Sequence, residues 1–171
     1  MHGGGRTGEA FGLMWPFFAP SRRKAIERAL TLAALAPGER FVDLGCGDGR
    51  VLVAAARRGA RVLGIEADGE LVEQARRRLD RAGVDGRVVE GEIFDGEIGA
   101  GVVCAYLTAG TLQELTSRFQ AMAGTRLVTL DFAVPDLMAR RSTPTLRCTS
   151  CRRRSDRRSR RPAGPRPLHS W

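Results

Sequence analysis

The stretch Phe41-Val-Asp-Leu-Gly-Cys-Gly-Asp-Gly-Arg50 constrains this chain more than any other. Its first half reads as a short buried strand, Arg40–Leu44. Gly45, Gly47 and Gly49 then predict a tight turn in which the backbone meets a ligand with no Cβ in the way. Val51–Arg58, rich in alanine, reads as a compact helix ending near Gly59. A strand, a glycine turn and a helix in that order point to a parallel sheet with right-handed crossovers. Ligands of such sheets bind beyond the carboxyl ends of the strands.

The rest of the chain repeats the unit. Before the turn, Pro20-Ser21 starts a helix with Ile26, Leu30 and Ala33 on one face, stopping before Pro37-Gly38. After it come a strand at Arg61–Ile65, a cap at Asp68 and a helix over Glu70–Ala82, closed by Gly83. Leu71, Ala75 and Leu79 form the helix's apolar stripe, and Arg76, Arg77 and Arg81 read as its solvated face. Further strands are predicted at Arg87–Glu90, Gly101–Tyr106 and Arg126–Val134. The capping box Thr111-Leu-Gln-Glu114 opens a helix whose buried stripe is Leu112, Leu115, Phe119 and Met122, with Gly124 closing it. The fold class is α/β: a Rossmann-like, doubly wound, mostly parallel sheet.

The net charge of +9 suggests a nucleic-acid binder until it is divided. Residues 140–171 hold 11 Arg and one acid, Asp156, and so carry +10; residues 1–139 carry −1. Nucleic acid is therefore expected to bind through the tail only, and not through a basic domain face.

The glycine turn serves either of two ligand types. A dinucleotide site wants a third glycine where this chain has Arg50, and Asp48 would repel a pyrophosphate. The turn suits S-adenosylmethionine, which carries an ammonium and a sulfonium. Asp43 and Asp48 offer it negative charge, and the backbone of Gly45, Cys46 and Gly47 meets its carboxylate. Glu66, 21 residues after Gly45, is placed for the ribose hydroxyls, with Ala67 beside it. Glu92 follows the third strand and accepts from the adenine amino group, with Ile93 against the ring.

On these residues the chain resembles the class I methyltransferases that use S-adenosylmethionine. Pro16-Phe-Phe-Ala-Pro20-Ser21, the glycine turn, Gly64-Ile-Glu66 and Thr129-Leu-Asp-Phe132 with Pro135 narrow the resemblance. They are similar to the small lysine methyltransferases related to the ATP synthase c-subunit enzyme. The resemblance covers about residues 15–138. It implies a sheet ordered 3-2-1-4-5-7-6 and methyl transfer to a protein lysine or another amine. A small-molecule methyltransferase, or a non-catalytic module using the basic tail, is the alternative.

Methyl transfer from a sulfonium chiefly needs a positioned nucleophile and an acceptor for its proton. Candidates are Tyr106, Thr108 and Asp131; equally, Tyr106 can pack, Thr108 can cap a helix and Asp131 can hold a backbone amide. The Asn/Asp-Pro-Pro-Tyr motif of DNA amino-methylases is absent from Ala105-Tyr-Leu-Thr-Ala109.

Three segments are expected: 1–20, with Trp15, Phe17 and Phe18 as a possible lid; a domain over 21–138; and an arginine-rich, disordered tail over 139–171. No clear sixth or seventh strand is legible, so the sheet is expected to stop after the fifth, the alternative being that part of Thr143–Cys148 pairs weakly as a sixth. After Met138 the chain has no Lys, Glu, Ile, Val or Phe. A natural tail or a GC-rich gene read out of frame would each give that composition. The lone Cys148-Thr-Ser-Cys151 has too few partners for zinc, and no metal is expected. No run of about 18 apolar residues is present. Cys46 and Cys104 sit in apolar strands as reduced thiols, and a cytoplasmic protein is expected.

Overall fold

The computed structural model describes residues 23–95, 98–130, 132–137, 139–142 and 146–150. In chain order the elements are α1 (Arg23–Leu32), β1 (Arg40–Leu44), α2 (Arg50–Ala56), β2 (Arg61–Glu66), α3 (Gly69–Ala82) and β3 (Arg87–Glu90). They continue with β4 (Val102–Ala105), α4 (Ala109–Glu114), α5 (Thr116–Ala121), β5 (Arg126–Leu130), β6 (Ala139–Ser142) and β7 (Leu146–Ser150). The strands form one seven-stranded sheet ordered β3-β2-β1-β4-β5-β7-β6. Strands β1 to β5 are parallel. β7 runs antiparallel to β5 on one side and to β6 on the other.

Two expectations are overturned here. The sheet is not truncated after the fifth strand, and residues 139–150 belong to it rather than to a tail. A ladder is made by backbone groups, which arginine carries as well as valine does. Leu127 therefore pairs with Thr149 and Val128 with Cys148 although the hairpin is polar in sequence. The first 22 residues, with the expected lid, and residues 151–171 lie outside the described residues.

The parallel strands are buried on both faces, as crossover helices require. Phe41, Val102, Cys104 and Val128 point to the layer of α1, α2 and α3, where Ile26, Leu30, Leu52 and Leu79 pack. Val42, Leu44, Val103, Ala105 and Leu127 point the other way, to Leu112, Leu115 and Phe119 of α4 and α5. Burying each large side chain completely contributes about 1.5–3 kcal/mol.

Asp68 caps α3 by accepting from the amides of Glu70 and Leu71, and Gly83 ends it in the left-handed conformation at φ 62°. The buried stripe of α3 starts at Val72, one residue later than expected, while Leu71 is half-buried. The capping box is misplaced too. Thr108, three residues before Thr111, caps α4, and the helical segment breaks at Leu115 before α5. No helix among the described residues is long and apolar enough to cross a membrane.

Candidate active site

The glycine turn leaves β1 and is stitched at once to β2. The amides of Gly45 and Cys46 both donate to the Ile65 carbonyl, at 2.9 and 3.1 Å. Positive φ at Gly45, Gly47 and Gly49 (71°, 53° and 77°) curls the backbone around its own amides. At Gly49 a Cβ would lie 2.8 Å from the Ala75 methyl, so α3 closes directly on the turn.

Glu66, the last residue of β2, bridges this turn to the start of α3. One carboxylate oxygen accepts from the Gly47 amide at 2.8 Å. The other accepts from the amides of Ala67 and Asp68, at 2.9 and 3.1 Å. Three amides orient the carboxylate, and a carboxylate has about four acceptor positions, so capacity remains for a hydroxyl.

Asp43 is buried on β1 beside Cys104 of β4, whose thiol donates to it. Burial pushes its carboxyl up to about 8; the Cys104 hydrogen bond lowers it, and the charge of Glu66 raises it further. A cation arriving beside this group favours its ionised form. Burial, then the charge of Asp43, raises the thiols of Cys46 and Cys104, so neither is an activated nucleophile.

Asp48 is engaged by two arginines. Burial would raise its pKa, but the Arg50 hydrogen bond and the charges of Arg50 and Arg78 hold it below the usual carboxylate range. Each guanidinium reaches its Oδ2 at 2.6 Å. Its charge is compensated on the helix side of the turn.

The segment after β3 is drawn to the same place. The Gly91 amide donates to the Glu66 carbonyl at 2.9 Å, which sets Glu92 beside the end of β2. Glu92 is exposed and Ile93 half-buried. Arg118 of α5 holds the segment from behind, donating to the carbonyls of Ile93 and Asp95 at 2.6 and 2.5 Å. Sequence reasoning missed Arg118 and Arg78, because their partners lie 25 and 30 residues away.

Tyr106 follows β4 and is exposed, and Leu107 next to it abuts Gly45. The Thr108 hydroxyl is engaged with the amide and hydroxyl of Thr111, as a helix cap. Asp131 lies outside the described residues. Its neighbour Thr129 donates to the Phe132 carbonyl at 2.7 Å and fixes the turn after β5. Phe94, Tyr106 and Phe132, after β3, β4 and β5, are the exposed large apolar side chains among the described residues. Phe94 and Phe132 were not foreseen, since an aromatic in a sequence reads first as core.

The ANTKMT methyltransferase domain matches residues 43–141. This chain belongs to that methyltransferase family. A protein-lysine N-methyltransferase of Saccharolobus islandicus (strain REY15A) is 30% identical over 124 residues, which cover 68% of this chain and 77% of that protein. The lysine N-methyltransferase of Homo sapiens named for the ATP synthase c-subunit is 39% identical over 69 residues, covering 40% of this chain and 29% of that protein. The crystal structure of an RNA methyltransferase from Salinibacter ruber in complex with S-adenosyl-L-homocysteine is 32% identical, with a TM-score of 0.76. The match covers 78% of this chain and 94% of that one. The chain is an S-adenosylmethionine-dependent methyltransferase with a Rossmann-like fold.

The carboxyl edge fits that cofactor. Glu66 is an oriented carboxylate at a strand end, Asp43 is a buried acid with no ion pair among the described residues, and the glycine turn runs beside both, its Gly45, Cys46 and Gly47 amides held by the Ile65 carbonyl and by Glu66.

Proposed function

We propose that this methyltransferase acts on an amine, the side chain of a protein lysine. The observation that carries the reading is the placement of Tyr106 and Phe132. They follow the neighbouring strands β4 and β5, and Tyr106 stands one residue from the Leu107–Gly45 contact. The two lysine methyltransferases among its relatives support the same acceptor class.

The bound cofactor supplies a methyl group on a sulfonium, a leaving group that needs no activation. Asp43 would take its ammonium end, the Gly45–Gly47 turn would run along its methionine part with the turn's own amides held by Ile65 and Glu66, Glu66 with Ala67 would hold its ribose, and Glu92 with Ile93 its adenine. The remaining task falls on the acceptor, whose nitrogen must present a lone pair. The aromatic faces of Tyr106 and Phe132 attract and seat the incoming lysine, which must then shed its proton before it can attack. The Tyr106 hydroxyl orients the amine, and Asp131 is the candidate proton acceptor. Thr108 acts by capping α4 behind Tyr106. The cytoplasmic assignment rests on Cys46 and Cys104, which are buried reduced thiols.

The test is transfer of a labelled methyl group into a cell extract, with products resolved as protein, RNA or small molecule. Label in protein, recovered as methyl-lysine and reduced by Phe132→Ala, is expected. Label confined to RNA or to small molecules would overturn the lysine reading.

A further inference from the structure

The helices on one face of the sheet leave a groove of about 630 Å³ between α1, α2 and α3. Six guanidiniums line it: Arg23 from α1, Arg50 from α2, Arg57 and Arg58 just beyond it, and Arg78 and Arg81 from α3. The single acid in the lining, among the described residues, is Glu27, and the floor is apolar, with Val53 and Ala54.

Three of the six are committed. Arg58 pairs with Glu27 at 2.7 Å, while Arg50 and Arg78 hold Asp48. Among the described residues Arg23, Arg57 and Arg81 make no ion pair. Residues 1–139 sum to −1, so this concentration is segregated charge rather than a uniformly basic surface. Three uncompensated cations facing one concavity need closely spaced anions to offset their repulsion.

Arginine in every cationic position favours an anion that takes its fork at two oxygens, as phosphate does. Among the described residues the lining has no aromatic ring to stack a base and no side-chain amide to read one. Its volume is that of a ligand cleft, within about 300–1,000 Å³. A concavity of that size has room for a stretch of single strand and not for a duplex. The +10 on residues 140–171 suits a polyanion longer than the groove.

We propose that the groove between α1, α2 and α3 binds the phosphodiester backbone of single-stranded nucleic acid, independently of base sequence. This moves part of the nucleic-acid expectation from the tail onto the folded domain, and draws Arg81 out of the solvated face assigned to it. The groove is separate from the acceptor rim, so the inference stands whether or not lysine is the acceptor.

The experiment isolates the groove in the full chain by replacing the tail arginines 152, 153, 154, 157, 158, 160 and 161 with serine. Binding of a labelled oligo-uridine is followed by fluorescence anisotropy over a salt series. This background is expected to bind, with affinity falling as salt rises. Arg57→Glu with Arg81→Glu should weaken it at least about tenfold and flatten the log–log salt slope by about 1.4, the share of two single-strand phosphate contacts. Arg57→Gln with Arg81→Gln should lie between. Cofactor affinity and melting temperature should stay unchanged in both. Reversing Arg40 and Arg87, exposed at the first positions of β1 and β3, should do little. Equal losses from that control pair, no loss from the groove pair, or equal competition by oligo-glutamate of the same charge would each overturn the proposal.

Discussion

Asp43 sits where burial makes an ionised carboxylate costly. In the unfolded chain it titrates near 3.8 and in the fold near 8, chiefly through burial. Between those values the folded state holds the extra proton. Its contribution to stability is therefore full below about pH 4 and is lost as pH rises toward about 8. Asp43→Asn removes that dependence while keeping the volume. The melting temperature of the unliganded variant should gain on the parent from about pH 4 to about pH 8 and level off above that. Its affinity for S-adenosylmethionine should fall by about 1–3 kcal/mol, the range for a charged hydrogen bond. Scanning fluorimetry across pH and titration calorimetry check the two halves; parallel pH profiles would contradict the first. At this scale legibility depends on distance along the chain. The turn fixes the offsets of Asp43 and Glu66, so their places near the strand ends are readable. The pairing of Asp48 is not, because Arg78 belongs to a helix and lies 30 residues on.

Elements behave alike in this respect. β1 to β5 are readable because buried parallel strands must be apolar runs between glycine and capping signals. The hairpin β6–β7 is not, since antiparallel strands at a sheet's margin need backbone pairing and few apolar residues. The capping box at Thr111 misleads because Thr108 offers the same chemistry one turn earlier, directly after β4. Close approach between elements is visible only in three dimensions. A Cβ on Gly64, in the middle of β2, would stand 2.6 Å from both the Cys46 sulfur and Leu52 Cδ1. Gly64→Ala must therefore displace the turn or the helix that follows it. Overpacking of this kind costs about 1–3 kcal/mol. Because Cys46 belongs to the turn, cofactor affinity should fall together with stability. Gly91→Ala, where a Cβ meets nothing within 4 Å, should change neither. Urea unfolding and calorimetry on the two variants check the contrast.

At the scale of the whole molecule, β7 decides whether the sheet is closed on this side. It lies between β5 and β6, and without it the last parallel strand would present a bare row of amides and carbonyls. Its Cys148 is buried and joins the core formed with α1, α2 and α3. One inward side chain thus links the arginine-rich end of the described chain to the layer that supports the glycine turn. Cys148→Ala removes one buried sulfur and should cost about 1 kcal/mol, with cofactor binding retained. Cys148→Asp places a carboxylate in an apolar layer, at a cost of several kcal/mol. Against a total stability of about 5–15 kcal/mol, that should remove most of the cooperative transition. Cofactor binding should go with it, although Cys148 and the turn lie on different strands. Thermal melts and calorimetry on both variants check this, and a Cys148→Asp protein melting like the parent would show that β7 does not carry the core.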